Sequence, residues 1–171
     1  HLKSAEEDTT ALRLLINLEK NAKLRLVELL EPGKNGVLVH DLGGTVGENA
    51  DIAVLHLYLG SGDIDSGCRM DLMGEKANFT YQAGYLGKKH QKLDVNLIAN
   101  HFGKNTTCNI RADGTLKDQA EKTFRGTIDF KKGCKGSVGA EQENVLLLGE
   151  EIVNKTIPLI LCAEEDVQGD H

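Results

Sequence analysis

The feature that most constrains this chain is a succession of short apolar stretches, each closed by glycine or polar turn residues. Val37-Leu38-Val39 precedes Gly43-Gly44, residues 52–59 run into Gly60-Ser61-Gly62, Met70-Asp71-Leu72-Met73 stops at Gly74, and residues 79–86 stop at Gly87. Leu93-Asp94-Val95-Asn96-Leu97 places an apolar side chain at every second position, the period of a half-buried strand. Residues 124–130 alternate in the same way before Gly133; residues 145–148 form an apolar run before Gly149, and residues 157–162 form the last. Many short strands with evenly spaced turns predict an all-β fold.

Sandwich, barrel and β-helix all satisfy that pattern. Three features favour the β-helix. Short phrases recur before strands: Gly47-Glu48-Asn49-Ala50, Gly74-Glu75-Lys76-Ala77 and Lys117-Asp118-Gln119-Ala120. Two-residue hairpin signals are scarce, Asn35-Gly36 being the only Asn-Gly pair. Short strands also stack naturally in a coil of small rungs. Aromatic residues are only 4% and Trp is absent, so a core has to come from Leu, Val, Ile and Ala, which suits repeated thin layers. Residues 12–30 carry leucines that fit an amphipathic helix, but residues 23–28 also alternate, and two strands are the preferred reading. Residues 1–11 are polar and expected to fray. Residues 12–171 are expected to form one core.

The formal net charge of −6 disfavours nucleic acid, whose binding draws on clustered positive charge. The basic runs at residues 88–92 and 131–135 read as solvated turns. No stretch is long and apolar enough for a transmembrane helix, and the first residues do not resemble a signal peptide, so a cytoplasmic location is the default expectation. Cys68, Cys108, Cys134 and Cys162 are widely spaced with no CxxC, so each reads as a small buried residue or free thiol. No GxGxxG, Walker-type loop or GxSxG elbow is present. His40-Asp41 and Asp170-His171 are sequence neighbours, which on a strand point to opposite faces, so neither is a natural dyad. His56 reads as a satisfied core histidine. The acidic run Glu164-Glu165-Asp166 reads as a solvated edge. The seven aromatic residues do not cluster along the chain, which argues against a β-helical enzyme acting on carbohydrate; a β-helical structural or adhesion module is the alternative. The residues by themselves support an all-β protein without a self-contained active site.

The later part of the chain resembles the SufB/SufD family. The resemblance rests on Phe124-Arg125-Gly126-Thr127-Ile128-Asp129-Phe130, Gln142 with Leu146-Leu147-Leu148-Gly149, Ile157-Pro158-Leu159-Ile160, and the acidic turn Glu165-Asp166-Val167 running to His171. Upstream, Glu48-Asn49-Ala50 resembles a recurrent family turn, and Asp94 and His101 match an Asp and a His placed one rung apart. The likeness covers roughly residues 12–171.

What the resemblance implies is a right-handed parallel β-helix working as a non-catalytic scaffold in iron–sulfur cluster assembly. Its partners would be a SufC-type ATPase of the ABC class and a second SufB/SufD-type subunit. A homodimer through the C-terminal strands is the further expectation. The ATPase contact lies in a helical segment after the β-helix, so the chain is expected to be a fragment lacking it. By the same resemblance His171 matches a histidine near the interface of the two scaffold subunits and is the candidate metal ligand. Glu143 stands where SufB carries a cysteine, and Gly169 where SufD carries one. Both departures count against direct cluster binding and fit a SufD-like supporting role or a divergent member of a reduced pathway. Cys162, expected one rung before His171, is the candidate substitute thiol. A transient iron–sulfur cluster is expected in the full complex and none in the isolated fragment.

Overall fold

The computed structural model describes residues 1–171 and holds thirteen strands and no helix. They are β1 (Leu2–Lys3), β2 (Thr9–Leu18), β3 (Lys23–Glu31), β4 (Val37–Val46), β5 (Asp51–Tyr58), β6 (Asp63–Leu72), β7 (Asn78–Gly87), β8 (Lys92–His101), β9 (Thr107–Lys117), β10 (Glu121–Phe130), β11 (Ser137–Leu148), β12 (Val153–Cys162) and β13 (Val167–Asp170). Odd-numbered strands form one sheet and even-numbered strands the other, and every pairing is parallel. The chain therefore crosses from sheet to sheet after each strand and winds as a β-solenoid of about six turns.

One turn takes about 30 residues, within the range expected of solenoid repeats. Register brings inward-facing residues into columns: Leu38, Ile64 and Leu93 stack in one sheet, and Ile52, Phe79 and Cys108 in the other. A single buried cluster of 31 apolar residues runs between the sheets. It is built chiefly from Leu, Val, Ile and Ala, as the scarcity of aromatics requires. Burying each Leu, Val or Phe contributes about 1.5–3 kcal/mol.

The recurring phrases are the corners of the coil. Asn21, Asn49, Lys76 and Asn105 all adopt φ between 54 and 62°. Each donates its backbone N–H to the corner of the next turn: Asn21 to Glu48 O, Asn49 to Glu75 O, Lys76 to Lys104 O and Asn105 to Lys135 O. The alanine that follows Asn49 or Lys76 is a small plug, 1% exposed at Ala50 and fully buried at Ala77, and Ala120 is a fully buried counterpart two residues after Asp118. Glu7, Asn35, Lys89 and Asp118 repeat the left-handed conformation between other strands. Asn35-Gly36 is thus an inter-sheet corner and not a hairpin, since no antiparallel pair exists.

Several strands are longer than the apolar runs suggest. β4 continues through Gly43-Gly44, which pair with Arg69 and Met70 inside the ladder. β9 has no counterpart among the expected strands. Asp94 and His101 lie on one strand, β8, rather than one rung apart; Asp94 faces outward to Arg125, and His101 is buried. Leu2–Lys3 pair with Leu30–Glu31.

The last turns are different in character. Outward positions on β10 are Glu121, Thr123, Arg125, Thr127 and Asp129, whereas on β12 they become Val153, Lys155, Ile157, Leu159 and Leu161. Those four apolar residues are exposed, as are Leu146, Leu147 and Leu148 on β11. No helix in the structure is long and apolar enough to cross a membrane.

Candidate functional site

Two opposed inward columns carry polar groups at both ends. In one sheet Glu28, His56, Ala83, Ala112 and Glu143 stack in register. Facing them stand Leu12, His40, Ser66, Val95, Phe124 and Thr156. Small and apolar residues separate two polar sites.

The C-terminal site is built around Lys122, which continues the column of Leu93 inward between the sheets. Its side chain is 1% exposed, and its ammonium pairs with the Glu143 carboxylate, itself 6% exposed. Thr156 on β12 bonds both Lys122 and Glu143, and Tyr85 on β7 donates its hydroxyl to Glu143 at 2.9 Å. Burying an unpaired charge is costly, so these contacts are what make the position tolerable. Burial lowers the Lys122 pKa, and the Glu143 charge opposes that shift. Tyr85 leans over Gly114, where a Cβ would lie 2.1 Å from the ring.

Glu141, two residues before Glu143 on the same inward face, tucks against Gly126, where an added Cβ would overlap its carboxylate. The glycine of the aromatic-x-Gly-x-Ile strand therefore makes room for an acid. Burial, reinforced by the neighbouring Glu143 charge, pushes the Glu141 carboxyl up to about 7. Glu141, Gln142, Glu143, Val145, Asn154, Thr156, Pro158 and His171 line a groove of about 430 Å³.

The structure thus brings Glu143 and His171 into one groove. It does not bring in Cys162, which ends β12 opposite Phe130 and is exposed. Cys162 ends β12 and His171 directly follows β13, so the two lie on consecutive arms of the coil in different sheets, half a turn apart instead of a full rung. The groove gathers Glu141, Glu143 and His171 without a thiolate, and Glu143 is already paired with Lys122. The remaining cysteines, Cys68, Cys108 and Cys134, are free and buried. Burial raises all three thiols, Cys108 to about 12.

The N-terminal site was not visible as a group in the sequence. Glu28 on β3, His40 on β4 and His56 on β5 all point inward, with 8%, 1% and 0% of their surfaces exposed. The His56 Nε2 lies 2.8 Å from the Glu28 Oε2, and the His40 Nε2 lies 3.3 Å from the same oxygen. The other ring nitrogens meet hydroxyls: His56 Nδ1 is 3.0 Å from both Tyr58 and Tyr81, and His40 Nδ1 is 3.2 Å from Ser66. Tyr58 bonds Ser66 at 2.9 Å and Tyr81 at 3.0 Å, closing the ring of hydroxyls. Two of the seven aromatic residues therefore do cluster, through register and not through sequence proximity. Burial alone would raise the Glu28 carboxyl; the two histidines outweigh it and hold the group at about 2. Burial lowers the His56 pKa against the pull of Glu28. A sequence signal existed. Each of the three residues breaks an alternating apolar series at an inward position, and Glu28 and His56 are one repeat apart.

A third buried histidine, His101, bonds Thr106 at 2.7 Å and Cys108 at 3.3 Å. Burial lowers it to about 4. It is a neutral core group.

The chain is thus a two-sheet parallel solenoid with a polar groove beside an apolar terminal edge. The comparisons agree on the family. The family described as SUF system FeS cluster assembly, SufBD core domain, matches residues 1–171. The chain belongs to that family. It is also similar to the iron–sulfur cluster assembly protein SufD of Bacillus subtilis (strain 168), with 25% identity over 133 residues, covering 78% of this chain. The match spans about 30% of that relative's length.

Proposed function

We propose that this chain is the core of a non-catalytic scaffold subunit in SUF-type iron–sulfur cluster assembly, acting with a SufC-type ATPase and a second SufB/SufD-type subunit. The observation that carries the reading is the pairing of two features at the C-terminal turns. β12 exposes Ile157, Leu159 and Leu161 on its outward face, and the groove holding Glu143 and His171 opens beside it. An unpaired strand edge flanked by apolar side chains is a template for adding strands from another subunit. A second subunit of the same family, or a second copy of this chain, fits that edge. The edge would then bring partner residues next to the groove, where His171 supplies an imidazole donor to iron delivered as substrate while the Glu143 carboxylate stays paired with Lys122. Neutral imidazole suits ferrous iron. The absence of a thiolate from the groove supports a supporting, SufD-like role in which the partner supplies the sulfur ligand. The ATP-driven step belongs to the ATPase.

The test is co-expression of the full-length parent protein with its ABC-type ATPase, anaerobic purification, reconstitution with iron and sulfide, and visible absorbance. A charge-transfer band that disappears in His171→Ala supports iron handling at the groove. Co-purification without a band assigns a purely structural place in the complex. Absence of both removes the scaffold reading.

A further inference from the structure

We infer that Glu28, His40 and His56 form a mononuclear site for a borderline divalent cation, of the Zn2+ or Fe2+ type, enclosed in the second turn of the solenoid and separate from the C-terminal groove. The argument begins with donor chemistry. Two imidazole nitrogens and one carboxylate oxygen converge, all within 4.8 Å of one another. Two His and one carboxylate is a recurrent donor set for Zn2+ and for non-haem Fe2+. Bond lengths near 2.0–2.2 Å in a tetrahedral arrangement set ligands about 3.3 Å apart. The His40–Glu28 separation is already 3.3 Å, and the His56–Glu28 separation of 2.8 Å has only to open by about half an ångström.

Hydrogen bonding supplies the second observation. A purely structural cluster this deep is expected to satisfy every polar atom. His56 does so, with its Nε2 on Glu28 and its Nδ1 among hydroxyls. His40 does not. Its side chain is fully buried, and its Nε2 lies 3.3 Å from the Glu28 oxygen without the alignment of a hydrogen bond. A cation held by the three donors would satisfy that nitrogen.

The surrounding hydroxyls also fit a site that is sometimes empty and sometimes filled. Without metal, His56 donates from Nε2 to Glu28, and a tyrosine hydroxyl donates to Nδ1. A metal on Nε2 moves the imidazole proton to Nδ1, and the hydroxyl must then accept. Tyr58, Tyr81 and Ser66 can take either role. Ligating histidines are commonly oriented by a hydrogen bond from the second nitrogen, and here both have one. Glu28 is 8% exposed and its inward neighbours on the same strand, Leu24 and Leu26, are only partly buried, so the site lies close to the N-terminal end of the coil. Enclosure on the remaining sides couples metal uptake to folding.

The experiment uses the untagged chain, unfolded with chelator and refolded anaerobically with Co2+ as the spectroscopic probe and, separately, with Zn2+. Free metal is removed and the metal content measured by mass spectrometry. The expected result is one Co2+ per chain with the visible d–d bands of a four- or five-coordinate ion. Glu28→Gln and His40→Gln should each weaken binding at least about 100-fold, while His90→Ala, at an exposed histidine outside both sites, leaves it unchanged. Tyr58→Phe, which removes an orienting hydroxyl but no ligand, should weaken it about tenfold. A refolded wild-type chain that retains no metal and shows no d–d band overturns the proposal. So does metal that survives in His40→Gln and disappears in His90→Ala. Should the Gln variants fail to fold, the wild-type stoichiometry and Tyr58→Phe still decide the matter.

Discussion

Lys122 occupies a position that, one turn earlier, belongs to Leu93, and it is tolerated because Glu143, Thr156 and Tyr85 close around the charge. A buried pair of this kind contributes little over an apolar pair of equal volume, but losing one partner strands the other. Lys122→Met should therefore cost about 3–5 kcal/mol in urea denaturation. The double variant Lys122→Met with Glu143→Leu should recover most of that loss, and the coupling energy reads out the interaction itself. The residue scale is also where the sequence was least legible. His56 was correctly placed in a strand core, yet its partners Glu28 and His40 come from two other strands and two different sheets. Nothing in linear spacing names a partner until the register is known. The resemblance pointed to Glu143 and His171, which share a groove, and to Cys162, which lies outside it.

At the scale of the element, corner and strand were legible to different degrees. The Gly-Glu-Asn-Ala and Gly-Glu-Lys-Ala phrases marked the corners because a left-handed residue followed by a small buried one is a strict local requirement. β9 escaped notice because its inward series is Cys108, Ile110, Ala112 and Leu116, and small side chains give a faint alternation. β4 was cut short at Gly43-Gly44, where flat glycines pass through the ladder without ending it. The corners yield a direct prediction. Lys76 holds φ +58°, a conformation that costs a residue with a Cβ about 1–2 kcal/mol. Lys76→Gly should stabilise the chain by about 0.5–1 kcal/mol, the gain being reduced by the extra freedom of glycine in the unfolded state. Asn49, in the same conformation, also bonds Asn21 side chain to side chain at 2.7 Å. Asn49→Ala should lose about 1 kcal/mol. Urea midpoints at constant m-value separate the two signs.

At the scale of the whole molecule, buried titratable groups of opposite sense shape stability against pH. Glu141 sits near 7 in the folded chain against an ordinary value of 4.5. Between those values the unfolded chain releases a proton that the folded chain keeps, so stability falls as pH rises from 4.5 to 7. His101 sits near 4 against an ordinary 6.5. Between those values the unfolded chain takes up a proton that the folded chain refuses, so stability falls as pH drops from 6.5 to 4. The Glu141 shift arises from burial and Glu143, and the His101 shift from burial opposed by Asp129, so neither depends on the other. The two slopes oppose each other between pH 4.5 and 6.5 and largely cancel there, which leaves these groups contributing a broad plateau. Removing one should expose the other. Relative to wild type, His101→Gln should tilt stability towards declining with rising pH across that window, and Glu141→Gln should tilt it towards increasing, each by a total of about 2–3 kcal/mol, the lowered His56 acting alike in all three chains. Urea denaturation of wild type and both variants at several pH values between 4 and 8 measures this. Two variants whose slopes shift from the wild-type slope in the same direction would mean that one of these groups is not held in the environment described for it.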